Sequence, residues 1–183
     1  MKIIRDLEKI FFENKITATI GGYDGIHIGH NRIISKVVQK AKENNSKSAL
    51  ITFKPLPKIF FARKNFELLT IYKKIEILKE LNVDYMILLR FNDSLISMSS
   101  KDFIEEILIK KLNISSLTVG HDFKFGKNQS GSVSDLQDYA HKGSFTLNVE
   151  EKHSIAGERI SSSSIRDYIC LLYTSDAADE KVR

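Results

Sequence analysis

The chain has 183 residues, enough for one domain with a buried core, and its 42% hydrophobic content is ordinary for a soluble globular protein. No apolar run reaches the ~18 residues of a membrane span, and residues 1–13 are unlike a secretory signal, so we expect a cytoplasmic protein without a membrane partner. The single cysteine, Cys170, excludes an internal disulfide, and the net charge of +5 favours a lysine-rich hydrated surface over nucleic-acid binding, although anionic small molecules would also suit it.

Five short apolar or β-branched runs predict strands, and they are Ile16–Ile20, Lys47–Phe53, Tyr85–Leu89, Ser116–Gly120 and Phe145–Val149. Apolar residues at helical spacing predict helices at Gly29–Glu43, at Ile71–Leu81, after a cap at Ser99 or Ser100, at Val133–His141 and at Ser161–Ile169. The stretch from Lys54 to Pro57 is predicted to break regular structure. We therefore expect an α/β fold, a doubly wound Rossmann-like parallel sheet of about five strands with helices on both faces.

The segment Gly21–His30, directly after the first predicted strand, contains glycines that let the backbone turn and approach a ligand closely. His27 and His30 are three residues apart at the opening of a helix, so their rings can share one face. A helix N-terminus attracts phosphate, and imidazoles there can donate hydrogen bonds to its oxygens. Zinc ligands and plain surface histidines are the alternatives, and no cysteine or glutamate stands at metalloprotease spacing.

A second candidate segment is Ile160–Arg166, where a run of serines opens the last predicted helix. Serine hydroxyls and backbone N–H groups at this position can cap the helix or bind phosphate. Arg166, one turn further on, would add a forked and permanently charged donor for phosphate oxygens. A serine run by itself is more typical of a cap or a loop.

The two segments together resemble the signatures of cytidylyltransferase-like nucleotidyltransferases. Gly21–His30 is similar to Gly-x-Phe-Asp-Gly-x-His-x-Gly-His, with Tyr23 in place of Phe, and Ile160–Arg166 is similar to Ile-Ser-Ser-Thr/Ser-x-x-Arg. The resemblance implies that the catalytic residues are His27, His30 and Arg166. It also implies an ATP site made by Gly22, Tyr23, Asp24, Gly25, Gly29, Ser162 and Ser163.

Three further stretches resemble bacterial FAD synthetases, in the family's order along the chain. They are Thr52–Pro57, Leu69–Thr70 followed by Lys74, and Val119–Gly126. Aromatic residues and prolines suit a flat apolar ligand such as the flavin ring, and the flavin-binding candidates implied are Pro55, Pro57, Asp122, Phe123 and Phe125. Leu56 departs from the family pattern, which has histidine between the two prolines.

The resemblance implies FMN adenylyl transfer, in which AMP passes from ATP to FMN and gives FAD and pyrophosphate. ATP and FMN would be the substrates, and Mg²⁺ would accompany ATP without a dedicated protein metal site. A nucleotidyltransferase acting on CTP or phosphopantetheine, and an inactive nucleotide- or flavin-binding module, are the open alternatives.

The composition changes near Cys170, where residues 170–183 resemble the translation of a sequencing adapter. We therefore expect the natural domain to be residues 1–169. In the family a riboflavin kinase module usually follows this domain, and no segment here corresponds to one.

Overall fold

The structure is a computed structural model that describes residues 1–5, 12–62, 66–151, 154–155, 158–159, 162, 164–166 and 168–169. Of the predicted site residues, Ser163 lies outside the described residues, as does the whole tail 170–183. The described residues of the predicted last helix, between 162 and 169, are helical.

A six-stranded, fully parallel sheet forms the centre of the molecule. Its strands are β1 (Lys2–Ile4), β2 (Ile16–Ile20), β3 (Lys47–Lys54), β4 (Tyr85–Arg90), β5 (Ile114–Gly120) and β6 (Thr146–Glu150). All five predicted strands are present within two residues of their expected bounds. The short edge strand β1 was not predicted, nor was a separate antiparallel hairpin of β7 (Ser154–Ile155) and β8 (Glu158–Arg159).

Helices connect the strands and cover both faces of the sheet. They are α1 (Ile28–Glu43), α2 (Pro57–Ala62), α3 (Ile71–Glu80), α4 (Asp93–Ser97), α5 (Ser100–Asp102), a π-helical continuation of α5 (Phe103–Lys111) and α6 (Val133–His141). The expected break at 54–57 is wrong in part, because Pro57 begins a helix, a position where the missing N–H of proline costs nothing. None of the helices in the described ranges is long and apolar enough to cross a membrane.

Successive residues of the inner strands point to opposite faces, as the period of two in a β-strand requires. Leu50 and Met86 pack with Ile34 of α1 and Leu78 of α3 on one face. Their sequence neighbours pack on the other face against the π-helical segment and α6, in a core that includes Ile51, Ile87, Ile104, Leu108 and Leu136. This arrangement confirms the doubly wound sheet with two covered faces.

The strand order β1-β4-β3-β2-β5-β6 reverses direction between β2 and β5. The chain moves outward from β2 through β3 to β4, and then returns to place β5 on the opposite side of β2. The connections that follow β2 and β5 therefore leave toward different sides and open a crevice at the carboxyl ends of these strands. Gly21 follows β2 at this edge, and Gly120 ends β5.

Candidate active site

A cavity of about 690 Å³ lies at this crevice, within the size range of small-molecule sites. Its described lining comes from the loop after β2 and the start of α1, the ends of β3 and β5 with the residues that follow them, the end of β6, and the last helix. The predicted site residues that line it are Gly22, Tyr23, Asp24, His27, Gly29, His30, Pro57, Asp122, Phe123, Ser162 and Arg166.

The rings of His27 and His30 stack in the cavity wall at the N-terminus of α1. Their centroids are 3.8 Å apart with an interplanar angle of 19°. The Nδ1 atom of each ring is buried and has no hydrogen-bond partner among the described residues. Burial lowers the pKa of both imidazoles, and in His30 burial together with the nearby His27 lowers it to about 3. Both histidines are therefore neutral near pH 7 and stand beside the N–H groups of a helix terminus, an arrangement suited to an anion.

Tyr23 packs against His30 and is itself held by hydrogen bonds. Its ring lies 4.8 Å from that of His30, and its hydroxyl donates to Thr19 Oγ1, which in turn donates to the carbonyl of Thr118 at 2.9 Å. Burial raises the pKa of the Tyr23 hydroxyl well above its ordinary value, so the group remains a donor. The network joins β2 to β5 and includes the tyrosine whose ring contacts His30. Tyr23 has a positive φ of 43°, an uncommon backbone conformation for a residue other than glycine.

An ion pair between Asp24 and Arg166 joins the two sequence signatures across 142 residues. Both side chains are buried, and Asp24 Oδ1 also accepts a hydrogen bond from the backbone N–H of Leu68 at 2.9 Å. Arg166 donates from Nε to the carbonyl of Phe66 and from Nη1 to that of Ser162, each at 3.3 Å. These three contacts use three of the five guanidinium N–H groups, so the arginine is firmly oriented and its charge is partly balanced by Asp24.

Gly25, Pro55 and Phe125 are predicted site residues that are not part of the cavity lining. A Cβ at Gly25 would be 3.1 Å from Leu68 Cδ1, so this glycine permits the close approach of the two segments. Phe125 is buried, with its ring 5.5 Å from Phe123 and 5.4 Å from Phe103, and it supports the wall that Phe123 forms. Pro55 also lies outside the lining, while its neighbours Leu56 and Pro57 are part of it.

The sequence reasoning missed several residues of the wall, namely Ile20, Phe53, Lys58, His121, Lys124, Glu150 and Glu151. Phe53, His121 and Lys124 lie inside recognised motifs, and Ile20 and Lys58 directly flank one, which is the signal that could have found them. Leu56, considered only as a departure from the family, is buried and contributes to the wall itself.

An aromatic cluster lies beside Phe53. The ring of Phe91 packs edge-on against Phe53, Phe60 and Phe61, with centroid distances of 5.9, 5.4 and 5.8 Å, which makes this side of the site strongly aromatic.

Acidic and basic side chains both surround the cavity. Lys58 and Lys124 contribute basic groups to its lining, and Glu150, which is paired with Lys36 at 2.7 Å, contributes an acidic group. Within the described ranges, no three histidine, cysteine, aspartate or glutamate side chains are grouped closely enough to hold a metal ion.

Solved structures share the fold. A protein from Streptococcus pneumoniae titled a macrolide-efflux protein matches with a TM-score of 0.78 and 23% identity, over 91% of this chain and 57% of that one. A pantoate-beta-alanine ligase from Francisella tularensis matches with a TM-score of 0.55 and 14% identity, over 91% of this chain and 73% of that one. At these identities the likeness concerns the fold alone.

Curated relatives found by sequence have higher identity to this chain than these solved structures do. The bifunctional riboflavin kinase/FMN adenylyltransferases of Buchnera aphidicola subsp. Schizaphis graminum and of Haemophilus influenzae are 35% and 32% identical, over 94% and 81% of this chain. The matched regions are 56% and 49% of those proteins, so the chain spans about half the length of these relatives. Residues 10–164 match the family model described as FAD synthetase. The chain therefore belongs to the FAD synthetase family.

Proposed function

We propose that this domain transfers AMP from ATP to FMN and forms FAD and pyrophosphate. A phosphate oxygen of FMN attacks the α-phosphorus of ATP, the new P–O–P bond forms, and the bond to the leaving pyrophosphate breaks. The observation that carries the proposal is one cavity with a phosphate-type wall, made by His27, His30 and Arg166, and an aromatic wall that includes Phe53 and Phe123. The names of the relatives, which are FMN adenylyltransferases, support the choice of acceptor.

The phosphate wall would bind the triphosphate at the N-terminus of α1. The neutral imidazoles of His27 and His30 can each donate one hydrogen bond to a phosphate oxygen, and the bound negative charge would favour their protonation. Arg166 would direct its remaining N–H groups at the phosphates while Asp24 fixes its orientation. We propose that Gly22, Gly29, Ser162 and Ser163 complete the ATP site.

The aromatic wall would bind the flavin. Pro57, Phe123 and the missed residues Phe53 and Leu56 present apolar surface to the cavity, as a planar ring system needs. We propose that Pro55 and Phe125 support this wall from behind. Asp122 would bind the polar edge of the ligand.

The proposed reaction needs little acid–base catalysis from the protein. A phosphate monoester has its second pKa near 6, so the FMN phosphate is ionised at neutral pH and needs no strong general base. The task is to hold two anions in line and to stabilise the charge that develops on the α-phosphate and pyrophosphate. Mg²⁺, when bound, supplies further charge neutralisation, and the described residues fit an ion held by phosphate oxygens and water more than one held by a protein cage.

Chromatography after incubation with FMN, ATP and Mg²⁺ tests the proposal, and we expect FAD to accumulate with equimolar pyrophosphate. Parallel reactions with CTP, or with phosphopantetheine as acceptor, should give no product. Flavin fluorescence measured with FMN alone, together with a circular-dichroism melt, separates binding without turnover from a failure to fold. A folded chain that binds FMN and ATP but forms no FAD would contradict the catalytic proposal and identify a binding module.

A further inference from the structure

Lys74 is a buried lysine that packing does not explain. It lies on the inner face of α3, four residues before the fully buried Leu78, and is only 3% exposed. An apolar residue would suit this position, because burying an ammonium group costs free energy unless a partner compensates. The adjacent Lys73 faces solvent on the same helix and makes an exposed pair with Glu76.

The partner of Lys74 is Glu67, which is shared with a second lysine. Glu67 Oε2 lies 3.6 Å from Lys74 Nζ, and its Oε1 accepts a hydrogen bond from Lys54 Nζ at 2.6 Å. Burial lowers the pKa of Lys74, while the charge of Glu67 opposes that change. One carboxylate therefore connects the start of α3 to the end of β3, next to the predicted flavin-side prolines.

The residues on either side of Glu67 contact Asp24 and Arg166 through their backbone. The carbonyl of Phe66 accepts from Arg166, and the N–H of Leu68 donates to Asp24. Two residues after Leu68, Thr70 caps α3 by accepting from the N–H of Lys73. The segment 66–70 thus contacts the Asp24–Arg166 pair through its backbone, while its only charged side chain is fixed by Lys74 and Lys54.

We infer that Lys74 is a positioning residue of the nucleotide site, which acts through Glu67 and the segment 66–70 to orient Asp24 and Arg166. The inference rests on the proposed function for its consequence in turnover. Lys74 is not among the residues that line the cavity, so its effect is indirect. A lysine suits this role because its charge holds Glu67 in one place from the buried side while Lys54 holds it from the solvent side.

The test compares Lys74→Met with Lys74→Arg, and with Lys73→Met as the matched control on the same helix. ATP affinity is measured by calorimetry, FAD formation by initial rates, and folding by thermal melts. We expect Lys74→Met to weaken ATP binding and lower kcat, each by about tenfold or more, because small displacements of charged groups have large effects on phosphoryl chemistry. Its melting temperature should stay equal or rise, since methionine replaces a buried charge while Glu67 keeps its hydrogen bond to Lys54. Lys74→Arg should keep most of the ATP affinity and kcat of the unaltered chain. Lys73→Met should change neither the ATP affinity nor kcat.

Two results would overturn the inference. One is a Lys74→Met protein with normal ATP affinity, and the other is a loss that follows a lowered melting temperature and is not restored by arginine. If Lys74→Met does not fold, Glu67→Gln removes the same charge link at nearly constant size, and normal ATP affinity in that variant would overturn the inference as well. If the unaltered chain forms no FAD, the proposed function fails, whereas ATP affinity still tests the role of Lys74.

Discussion

The protonation state of His27 and His30 depends on their burial and on their position at the N-terminus of α1. Two imidazoles with centroids 3.8 Å apart would repel each other if both were charged, and burial already favours their neutral forms. A triphosphate bound as proposed would oppose this preference, because its negative charge would lie beside both rings. The pair is therefore suited to respond to charge that develops during the reaction.

Replacement of His27 or Arg166 by alanine should cut kcat by about 10² or more, since each would remove a donor to the charged phosphates. Initial rates of FAD formation at saturating ATP and FMN measure the loss. His141→Ala, an exposed histidine in α6 outside the cavity lining, is the control and should keep the unaltered rate. Normal turnover in His27→Ala or Arg166→Ala would exclude that residue from the mechanism.

Tyr23→Phe should leave kcat within about threefold of the unaltered value, because the ring that packs on His30 remains and Thr19 still donates to Thr118. The melting temperature should fall by a few degrees, as expected for the loss of about 1 kcal/mol from one buried hydrogen bond. Tyr23→Ala removes the ring itself and should lose activity and stability together. A large loss of turnover in Tyr23→Phe would mean that the hydroxyl has a role beyond this network.

At the scale of elements, the Asp24–Arg166 pair connects the loop after β2 with the last helix. Neither element is adjacent to the other in sequence, and the segment 66–70 lies between them. Close approach at Gly25, where a Cβ would be 3.1 Å from Leu68, makes this three-way contact possible. The two signatures of the family are thus held in one structural unit.

A double-mutant cycle on this pair should show strong coupling. Asp24→Asn and Arg166→Met should each lower the free energy of unfolding by about 3 kcal/mol, because each leaves a buried charge without its partner. The double variant should lose clearly less than the sum, since both charges are then gone. Urea unfolding of the four proteins gives the coupling energy, and simple additivity would show that the pair contributes little.

For the whole molecule, the histidine pair makes stability depend on pH. The folded pKa of His30 is about 3, against about 6.5 in the unfolded chain. The unfolded state therefore binds the proton more readily, and the free energy of unfolding should be highest above pH 6.5 and fall as the pH decreases toward about 3. Urea midpoints between pH 7.5 and 5 measure this fall, which should become smaller in His30→Gln. An equal fall in that variant would assign the dependence to other groups.

The sequence by itself determined most of the secondary structure and the two signatures proposed to bind phosphate. Five strands were predicted within two residues of their observed bounds, because buried parallel strands are short, continuous apolar runs. The edge strand β1 and helix α2 were not predicted, because neither has a clear periodic pattern of its own. Three residues are too few for a periodic pattern, and α2 begins at a proline that also terminates extended structure.

Only the tertiary structure decided how these signatures meet. Local patterns carry no information about which distant side chain neutralises a charge, so Asp24, expected at ATP, is found as the partner of Arg166. The same reason explains why Phe53 and Leu56 enter the cavity wall while Phe125 lies behind it. Sequence spacing sets which face of an element a residue occupies, whereas the reversal of strand order between β2 and β5 sets which faces enclose the cavity.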